Sequence, residues 1–182
     1  QRLLSQLNGE PTKGLIEKLR LVKSIAEQQY VREAAAITDA GVKAAVAAIA
    51  VGKDDHEIGE AAGSALLTHK SEFLALEPII CVGWRSGAPH SPRGGTQVEP
   101  GDPVFIELSG VRARYHSPLM RTVSAGPPRD GLQELADYSN ACVEKIVNTI
   151  VPGIPACDVA TAASEVLKPI RDKIAFHDLY AY

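Results

Sequence analysis

The chain has 182 residues, of which 45% are hydrophobic and 23% are charged, with a formal net charge of −3. This composition is typical of a soluble globular chain with one well-formed core. The slight acidity gives no electrostatic reason to expect nucleic acid or an anionic membrane surface as a partner. A small molecule or another protein is therefore the expected partner.

Cysteine usage and the chain ends bear on the compartment. Cys81, Cys142 and Cys157 form no CxxC pair and no tight Cys/His cluster, which indicates a reducing, cytoplasmic compartment. The sequence has no run of about 18 apolar residues, and its first residues, QRLLSQLNGE, lack the apolar core of a signal peptide. The missing initiator Met and the uncapped aromatic end FHDLYAY lead us to expect a piece of a longer chain.

Helices are predicted ahead of any strand. Ser24 and Glu27 form a capping box, which predicts the start of a long helix that Gly52 ends. Asp54 or Asp55 is the candidate N-cap of a second, shorter helix. Apolar and small residues at three- and four-residue steps predict one core-facing stripe on the long helix: Val31, Ala34, Ala35, Thr38, Val42, Ala45, Val46 and Ile49.

The central part of the chain predicts strands around one loop. A buried strand is predicted at PIICVGW, residues 78–84, and a Gly/Pro-rich loop at residues 85–102, which hold one histidine, His90. Two strands joined by a turn are predicted at FIELSGVRARYHSPLMRT, residues 105–122. This hairpin places one carboxylate, Glu107, on an otherwise apolar strand.

The helical period returns twice after the hairpin. One helix is marked from Leu132 to Ile150, and another from Val159 to Ile170, which Pro169 is expected to bend near its end. The strands lie together in the sequence and tight turns join them. The order of elements therefore favours an α+β fold, with a mostly antiparallel sheet backed by helices.

Three segments carry a family resemblance, namely LRLVKSIAEQQYVREAA, SGAPHSP and EPGDPVFIELSGVRARYHSPLMRTVSAG. They resemble, in this order, the opening of the catalytic domain, the loop with a catalytic histidine and the signature hairpin of the pita-bread superfamily, which includes creatinase, prolidase, aminopeptidase P and methionine aminopeptidase. The resemblance implies that residues 23–182 are the N-terminal half of that catalytic domain. It also implies that residues 1–22 end a missing N-terminal domain or an interdomain linker, and that the intact protein is a homodimer.

The hairpin departs from the metallopeptidase members of that superfamily at their metal-binding positions. Those members carry two aspartates, eleven residues apart, whereas this sequence has Glu107 at the first position and Pro118 at the second. Proline has no side-chain donor atom, and hard divalent cations need several anionic oxygens each. We therefore expect no metal and no other cofactor.

The departures also bear on the substrate. A pocket that lacks metal ions but keeps a carboxylate favours a substrate that brings its own positive charge. Creatinase, a metal-free relative, acts on a guanidinium substrate, and ectoine hydrolase, a second one, acts on a cyclic amidinium. The segments GWRSGAPHSP and RYHSPLMRT resemble ectoine hydrolase most. The resemblance thus implies a metal-independent hydrolase that cleaves a C–N bond of a small cationic amidine-type substrate.

Three other functions stay open. The first is a metal-dependent Xaa-Pro peptidase, like prolidase or aminopeptidase P, in which Glu107 and residues after Tyr182 hold a single ion. The second is a creatinase-like amidinohydrolase. The third is a pseudoenzyme that binds a protein partner, although the presence of His90 and Glu107 at the matching positions argues against it.

His90 and Glu107 are the predicted catalytic residues. Histidine exchanges protons near neutral pH, which suits general acid/base work, whereas a lone histidine in a loop is by default a solvated one. Glu107 is expected to act as the electrostatic partner of an amidinium or as a nucleophile. Its structural alternative is an ion pair with Arg112 or Arg121 across the hairpin.

Four further residues are candidates for substrate binding, namely Trp84, Tyr115, His116 and Arg121. The aromatic faces of Trp84 and Tyr115 can take a cation, and a place in the core is their alternative. His116 and Arg121 lie in the same hairpin as the glutamate, where Arg121 can instead be a structural fork that pairs with a carboxylate. Cys81 is not expected to be a nucleophile, because a thiol among Ile and Val should have a raised pKa.

Overall fold

A computed structural model of the chain describes residues 14–88 and 90–174. The chain divides into two units, residues 1–125 and residues 126–182. In these described ranges, no helix is long and apolar enough to cross a membrane. All of the predicted site residues lie in the first unit.

The first unit begins with three helices, α1 (Leu15–Leu21), α2 (Ile25–Ala48) and α3 (Asp55–Thr68). The predicted capping box of α2 is confirmed, because the Ser24 hydroxyl accepts from the Glu27 amide and the Glu27 carboxylate accepts from the Ser24 amide. The N-cap of α3 is Asp54. Helix α2 ends before the predicted stop at Gly52, which lies in the following turn with a φ of +87°.

The buried face of α2 differs in part from the predicted stripe. It consists of Ala34, Ile37, Thr38, Gly41, Val42 and Ala45, while Val46 is 38% exposed. A Cβ atom added to Gly41 would lie 2.7 Å from Cδ2 of Leu66 on α3. The stripe had omitted Gly41, yet a glycine is what lets the two helices approach at this point.

The three strands form one antiparallel sheet in the order β1 (Ile79–Val82), β2 (Pro103–Arg112) and β3 (Tyr115–Ser124). Strand β1 is shorter than predicted, because a short 3-10 helix begins at Gly83. Strands β2 and β3 are joined through Ala113 and Arg114, whose φ angles are +48° and +65°. Two successive positive φ angles are typical of a tight hairpin turn whose twist matches the strands.

Strand β2 alternates between two faces of the sheet. One face packs against α2 and α3 in the core, which includes Val104, Ile106 and Leu108. The opposite face, here called the outer face of the hairpin, carries Phe105, Glu107 and Ser109 on β2, and Thr122, Met120 and Pro118 opposite them on β3. The predicted α+β class, with an antiparallel sheet backed by helices, is confirmed.

A hydroxyl group on α2 joins the helix to both strands of the hairpin. Oγ1 of Thr38 accepts from the Gly110 amide at 2.8 Å and lies 2.7 Å from the Ser117 carbonyl oxygen, to which it donates. A Cβ atom added to Gly110 would lie 2.7 Å from both the Ala34 carbonyl oxygen and Cβ of Ile37. Glycine at this position therefore allows the close approach that the hydroxyl bridge requires.

The second unit contains α4 (Leu132–Thr149) and α5 (Ala156–Leu167), which pack against each other, and a short 3-10 helix, Lys168–Lys173. The two predicted helices are confirmed. The predicted bend at Pro169 is wrong, because α5 ends at Leu167 and Pro169 lies in the first turn of the 3-10 helix. A proline has no backbone N–H and clashes with the preceding turn, so the α-helix ends instead of bending.

We expect Thr38→Val to destabilise the protein, because valine keeps the shape but leaves the buried Gly110 amide without its acceptor. The expected loss in the free energy of unfolding is about 1 to 3 kcal/mol, measured by urea denaturation. Thr161→Val is the matched control, since the Thr161 hydroxyl donates to the Cys157 carbonyl oxygen of its own helix on an exposed surface. A loss at Thr38 no larger than that of the control would contradict the bridging role.

Candidate active site

Glu107 lies at the centre of the sheet, on its outer face. It pairs with Ile79 of β1 on one side and with Met120 of β3 on the other. Its side chain is 11% exposed. Burial of a carboxylate among such neighbours is costly unless the group has a polar partner, so the partner of Glu107 matters.

That partner is His90. Nε2 of His90 lies 3.1 Å from Oε2 of Glu107, and the His90 side chain is 55% exposed. The backbone of His90 has a φ of +64°, a left-handed conformation that is uncommon outside glycine and occurs often at functional sites. The two predicted catalytic residues are thus in contact, with the glutamate buried and the histidine open to solvent.

The loop around His90 is attached to the strand and the 3-10 helix that precede it. Sγ of Cys81 lies 3.8 Å from the Ser91 carbonyl oxygen, to which it donates, and the Arg85 guanidinium donates to the Pro92 carbonyl oxygen. Burial raises the pKa of the Cys81 thiol. This agrees with the expectation that Cys81 is not a nucleophile.

A cavity of about 300 Å³ opens beside His90. It is lined by His56, by residues 77–79 and by residues 90–93. His90 therefore borders a space that is large enough for a small ligand.

The arginines predicted as structural partners of Glu107 lie elsewhere. Nε of Arg112 donates to the Glu33 carboxylate of α2 at 2.9 Å. Arg121 is opposite Ile106, on the helix side of the sheet, and donates to the Met120 carbonyl oxygen at 2.7 Å. Neither arginine brings its guanidinium to the outer face, because side chains alternate along a strand and both of these positions belong to the opposite face of the sheet.

The structure does not bring Tyr115 to the outer face either. Its hydroxyl donates to the Glu27 carboxylate at 2.5 Å, and its ring stacks on Tyr30 with centroids 5.9 Å apart. Both partners lie in the first turns of α2. Together with the hydrogen bonds from Ser24, the Tyr115 hydroxyl lowers the pKa of Glu27 to about 2, and the same contact raises the pKa of Tyr115.

The remaining two binding candidates are also away from Glu107. Trp84 is 80% exposed in the 3-10 helix, with the Arg85 guanidinium 5.8 Å from its ring centroid, so the core alternative for Trp84 is wrong. His116 is opposite Val111 at the far end of the hairpin. Val111 is four positions from the glutamate along the strand, a distance of roughly 13 Å.

Asp55 is a buried acid, whereas its sequence position predicted only a possible N-cap. The cap is Asp54, while the Asp55 side chain is fully buried and accepts hydrogen bonds from the Gly94, Gly95 and Thr96 amides. The sequence feature that could have singled out Asp55 was the pair of adjacent aspartates, Asp54 and Asp55. One helix start needs one cap, so the second aspartate required another explanation.

Comparison with known proteins identifies the family. The sequence model of metallopeptidase family M24 matches residues 29–179. The chain belongs to this family. The Xaa-Pro dipeptidase of Pyrococcus horikoshii is 29% identical over 153 residues, which are 84% of this chain and 44% of that protein. An uncharacterized hydrolase/peptidase of Sinorhizobium fredii is 33% identical over 147 residues, which are 79% of this chain and 38% of that protein. The chain therefore spans less than half the length of these relatives.

Solved prolidases share the fold of this M24 chain. The prolidase of Pyrococcus horikoshii matches 93% of this chain and 50% of its own with a TM-score of 0.87 and 26% identity. For the prolidase of Pyrococcus furiosus the shares are 90% and 48%, with a TM-score of 0.85 and 27% identity. The predicted pita-bread superfamily is confirmed, and the chain is the N-terminal part of that domain. The relatives favour the Xaa-Pro peptidase alternative over the ectoine-hydrolase-like expectation.

A metallopeptidase family implies a metal centre. Whether this chain could form one depends on the metal-binding atoms that its side chains supply. Of the six residues that define the outer face, Glu107 is the one with a carboxylate, while Pro118 has no donor and Met120 has a soft thioether. Across residues 14–88 and 90–174, no group of three or more His, Cys, Asp or Glu side chains could hold an ion. The described residues do not by themselves fit a metal centre.

We expect Tyr115→Phe to raise the pKa of Glu27 from about 2 toward its usual value near 4.5, because the variant loses the strongest hydrogen bond to the carboxylate. A depressed pKa in the folded state stabilises it above pH 4.5, and this contribution is lost as the pH falls toward 2. The stability difference between wild type and variant should therefore be full above pH 4.5 and shrink below it. Carboxyl NMR titration and acid unfolding measure the two effects.

Tyr138→Phe on α4 is the control for the loss of a tyrosine hydroxyl. If the Glu27 titration is the same in Tyr115→Phe as in this control, the contact between Tyr115 and α2 is wrong.

Proposed function

We propose that the intact protein hydrolyses the amide C–N bond of Xaa-Pro peptides, and that His90 and Glu107 belong to its active site. The observation that carries the proposal is the 3.1 Å contact between their side chains in a chain of the M24 family. The names of the relatives, which are Xaa-Pro dipeptidases, support the substrate class. Because the chain spans 44% of those relatives, the activity is proposed for the whole protein.

The proposed role of His90 is proton transfer to the leaving nitrogen. In the reaction, water adds its hydroxyl group to the carbonyl carbon, the C–N bond breaks, and the proline nitrogen leaves with a proton. An amine leaves poorly unless it receives that proton as the bond breaks. An imidazole that is 55% exposed beside a cavity is placed to deliver it.

The proposed role of Glu107 is to orient His90. A carboxylate that accepts from one imidazole nitrogen fixes which nitrogen carries the proton and holds the ring in one orientation. Glu107 is buried in a central strand, so it is a rigid reference point for the histidine. The pair thus combines a fixed acid with a histidine that faces the solvent.

A second candidate is a metal-independent hydrolase of a small cationic amidine, as creatinase and ectoine hydrolase are. It is favoured by the outer face, where Met120 and Pro118 lie beside the Glu107 carboxylate and supply no hard oxygen donor. A buried carboxylate among such neighbours attracts a cation, and a substrate amidinium would fill that role. Glu107 would then contact the cationic carbon as electrostatic partner or as nucleophile.

Several earlier expectations stay predictions. These are the homodimer, the absence of a nucleic-acid partner, and an N-terminal domain that ends within residues 1–22. The binding roles of Trp84, Tyr115, His116 and Arg121 also stay predictions.

We expect Glu107→Gln to lower kcat/KM roughly a hundredfold, or about 3 kcal/mol, because the variant keeps the size of the side chain but loses the charge that serves the reaction. The intact protein is assayed, with exposed Glu60→Gln on α3 as the control, which should stay within about twofold of wild type. His90→Ala combined with Glu107→Gln should be little worse than the more damaging single variant, because the two residues act as a unit. Activity of Glu107→Gln within about twofold of wild type would make Glu107 a structural acid only.

Metal content and substrate choice separate the two candidates. The purified intact protein is analysed for manganese, zinc and iron, and is assayed on an Xaa-Pro dipeptide, creatine and ectoine, with and without a chelator. The peptidase candidate predicts dipeptide turnover that the chelator abolishes and manganese restores, with Glu107 joined by ligands from outside the described residues. The amidine candidate predicts turnover of a cationic substrate that the chelator does not change.

Pro118 sets a further expectation for the same measurement, namely at most one ion in each active site. Two tightly bound ions in each active site would contradict the inference drawn from Pro118. If no substrate is turned over and a protein partner binds instead, the pseudoenzyme alternative replaces both candidates.

A further inference from the structure

The buried Asp55 side chain binds the loop that carries His90. Its carboxylate accepts from the Gly94, Gly95 and Thr96 amides at 3.1, 2.9 and 3.3 Å, and its own amide donates to the Thr96 carbonyl oxygen. The side chain is fully buried. Besides the loop amides, Oδ1 of Asp55 lies 3.8 Å from Nε2 of His56, and full burial keeps substrate from the carboxylate.

We propose that Asp55 is a positioning residue for the His90–Glu107 pair, which it serves by fixing the loop from residue 91 to residue 96 on the start of α3. This inference rests on the proposed function, in which His90 acts on the substrate. Glu107 is held by the sheet, whereas His90 is held by a loop. The distance between the two side chains therefore depends on where the loop is anchored.

The stretch between His90 and the residues bound by Asp55 has little conformational freedom. Three residues separate His90 from Gly94, and one of them is Pro92, whose ring fixes its φ angle. The carbonyl oxygens of Ser91 and Pro92 are bound by Cys81 and Arg85. A shift of the loop at residues 94–96 would therefore be transmitted to His90 over a short, restricted stretch.

A second contact ties the same loop to α3. The Arg93 side chain passes over Gly59, where an added Cβ atom would overlap its Nη1 atom. The Arg93 guanidinium pairs with the Glu77 carboxylate, just ahead of β1. Residues 93–96 thus contact α3 through both the Arg93 side chain and the backbone amides of residues 94–96. The position of the His90 loop relative to the sheet therefore depends on α3.

The alternative is that Asp55 serves stability alone. A buried carboxylate with three amide donors would stabilise the fold wherever it lay. The two roles differ in one respect, because only the positioning role requires that the surroundings of the His90 imidazole change when Asp55 is altered. That difference determines the measurement.

The test uses the intact protein with Asp55→Asn. The variant keeps the shape of the side chain, but it replaces one acceptor oxygen by an NH2 group, which cannot accept from the backbone amides of the loop. The ¹⁵N signals of the His90 imidazole, identified by their loss in His90→Gln, are recorded at one fixed pH, and kcat and KM are measured on an Xaa-Pro dipeptide. Asp54→Ala is the matched control. It removes the adjacent N-cap, which binds the His56 and Glu57 amides, and leaves the loop contacts in place.

We expect Asp55→Asn to move the His90 signals in the direction that Glu107→Gln moves them, and to lower kcat on the order of tenfold with KM little changed. Asp54→Ala should lower the thermal stability and leave the His90 signals where they are. Unchanged His90 signals in Asp55→Asn would overturn the inference. Equal shifts of these signals in Asp55→Asn and Asp54→Ala would overturn it too.

Two further provisions keep the test decisive. If Asp55→Asn does not fold, Gly95→Ala replaces it, because Gly95 has a φ of +74°, which an alanine adopts only with strain. This variant disturbs the loop and keeps the carboxylate, so unmoved His90 signals would again overturn the inference. If wild type turns over no dipeptide, the proposed function fails, and the NMR comparison still decides whether Asp55 positions His90.

Discussion

The hydroxyl bridge from Thr38 to Gly110 and Ser117 is the constraint on which the site depends. It sets α2 directly against the hairpin, and the missing side chain of Gly110 permits the contact. With one face of β2 committed to the helices, strand alternation sends Glu107 to the other face. The acid therefore lies outside the helix–sheet core because of a contact that involves no active-site residue. Its position is a consequence of packing, and the His90 loop is then laid over it.

Much of the fold follows from local signals. The capping box at Ser24 and Glu27, the short apolar run around Glu107 and the helical period of the second unit each act within a few residues, where side-chain spacing and backbone hydrogen bonds decide the structure. The contact between His90 and Glu107 was not visible in the spacing itself. The resemblance singled out both residues as catalytic candidates, and the folded structure brings them into contact.

Contacts between distant segments account for what the sequence did not reveal. Tyr115 looked like a pocket aromatic, yet it binds Glu27, which is 88 residues earlier in the chain. Asp55 looked like a cap, yet it binds amides about 40 residues later. In both cases a polar side chain satisfies a group that only the folded structure brings near. No periodicity records such a partner, so these residues could be singled out but not assigned.

The hairpin turn has a consequence for the order in which the chain folds. Ala113 and Arg114 both adopt left-handed backbone angles, which glycine and asparagine adopt far more readily. The turn is supported from outside, because the Ala113 amide donates to the Glu72 carboxylate at 2.7 Å and the Arg114 guanidinium lies 4.9 Å from the Phe73 ring centroid. An isolated hairpin lacks both contacts. Closure of β2 on β3 is thus expected to follow the docking of the segment after α3, so this local hairpin depends on contacts between residues about 40 positions apart and is completed late.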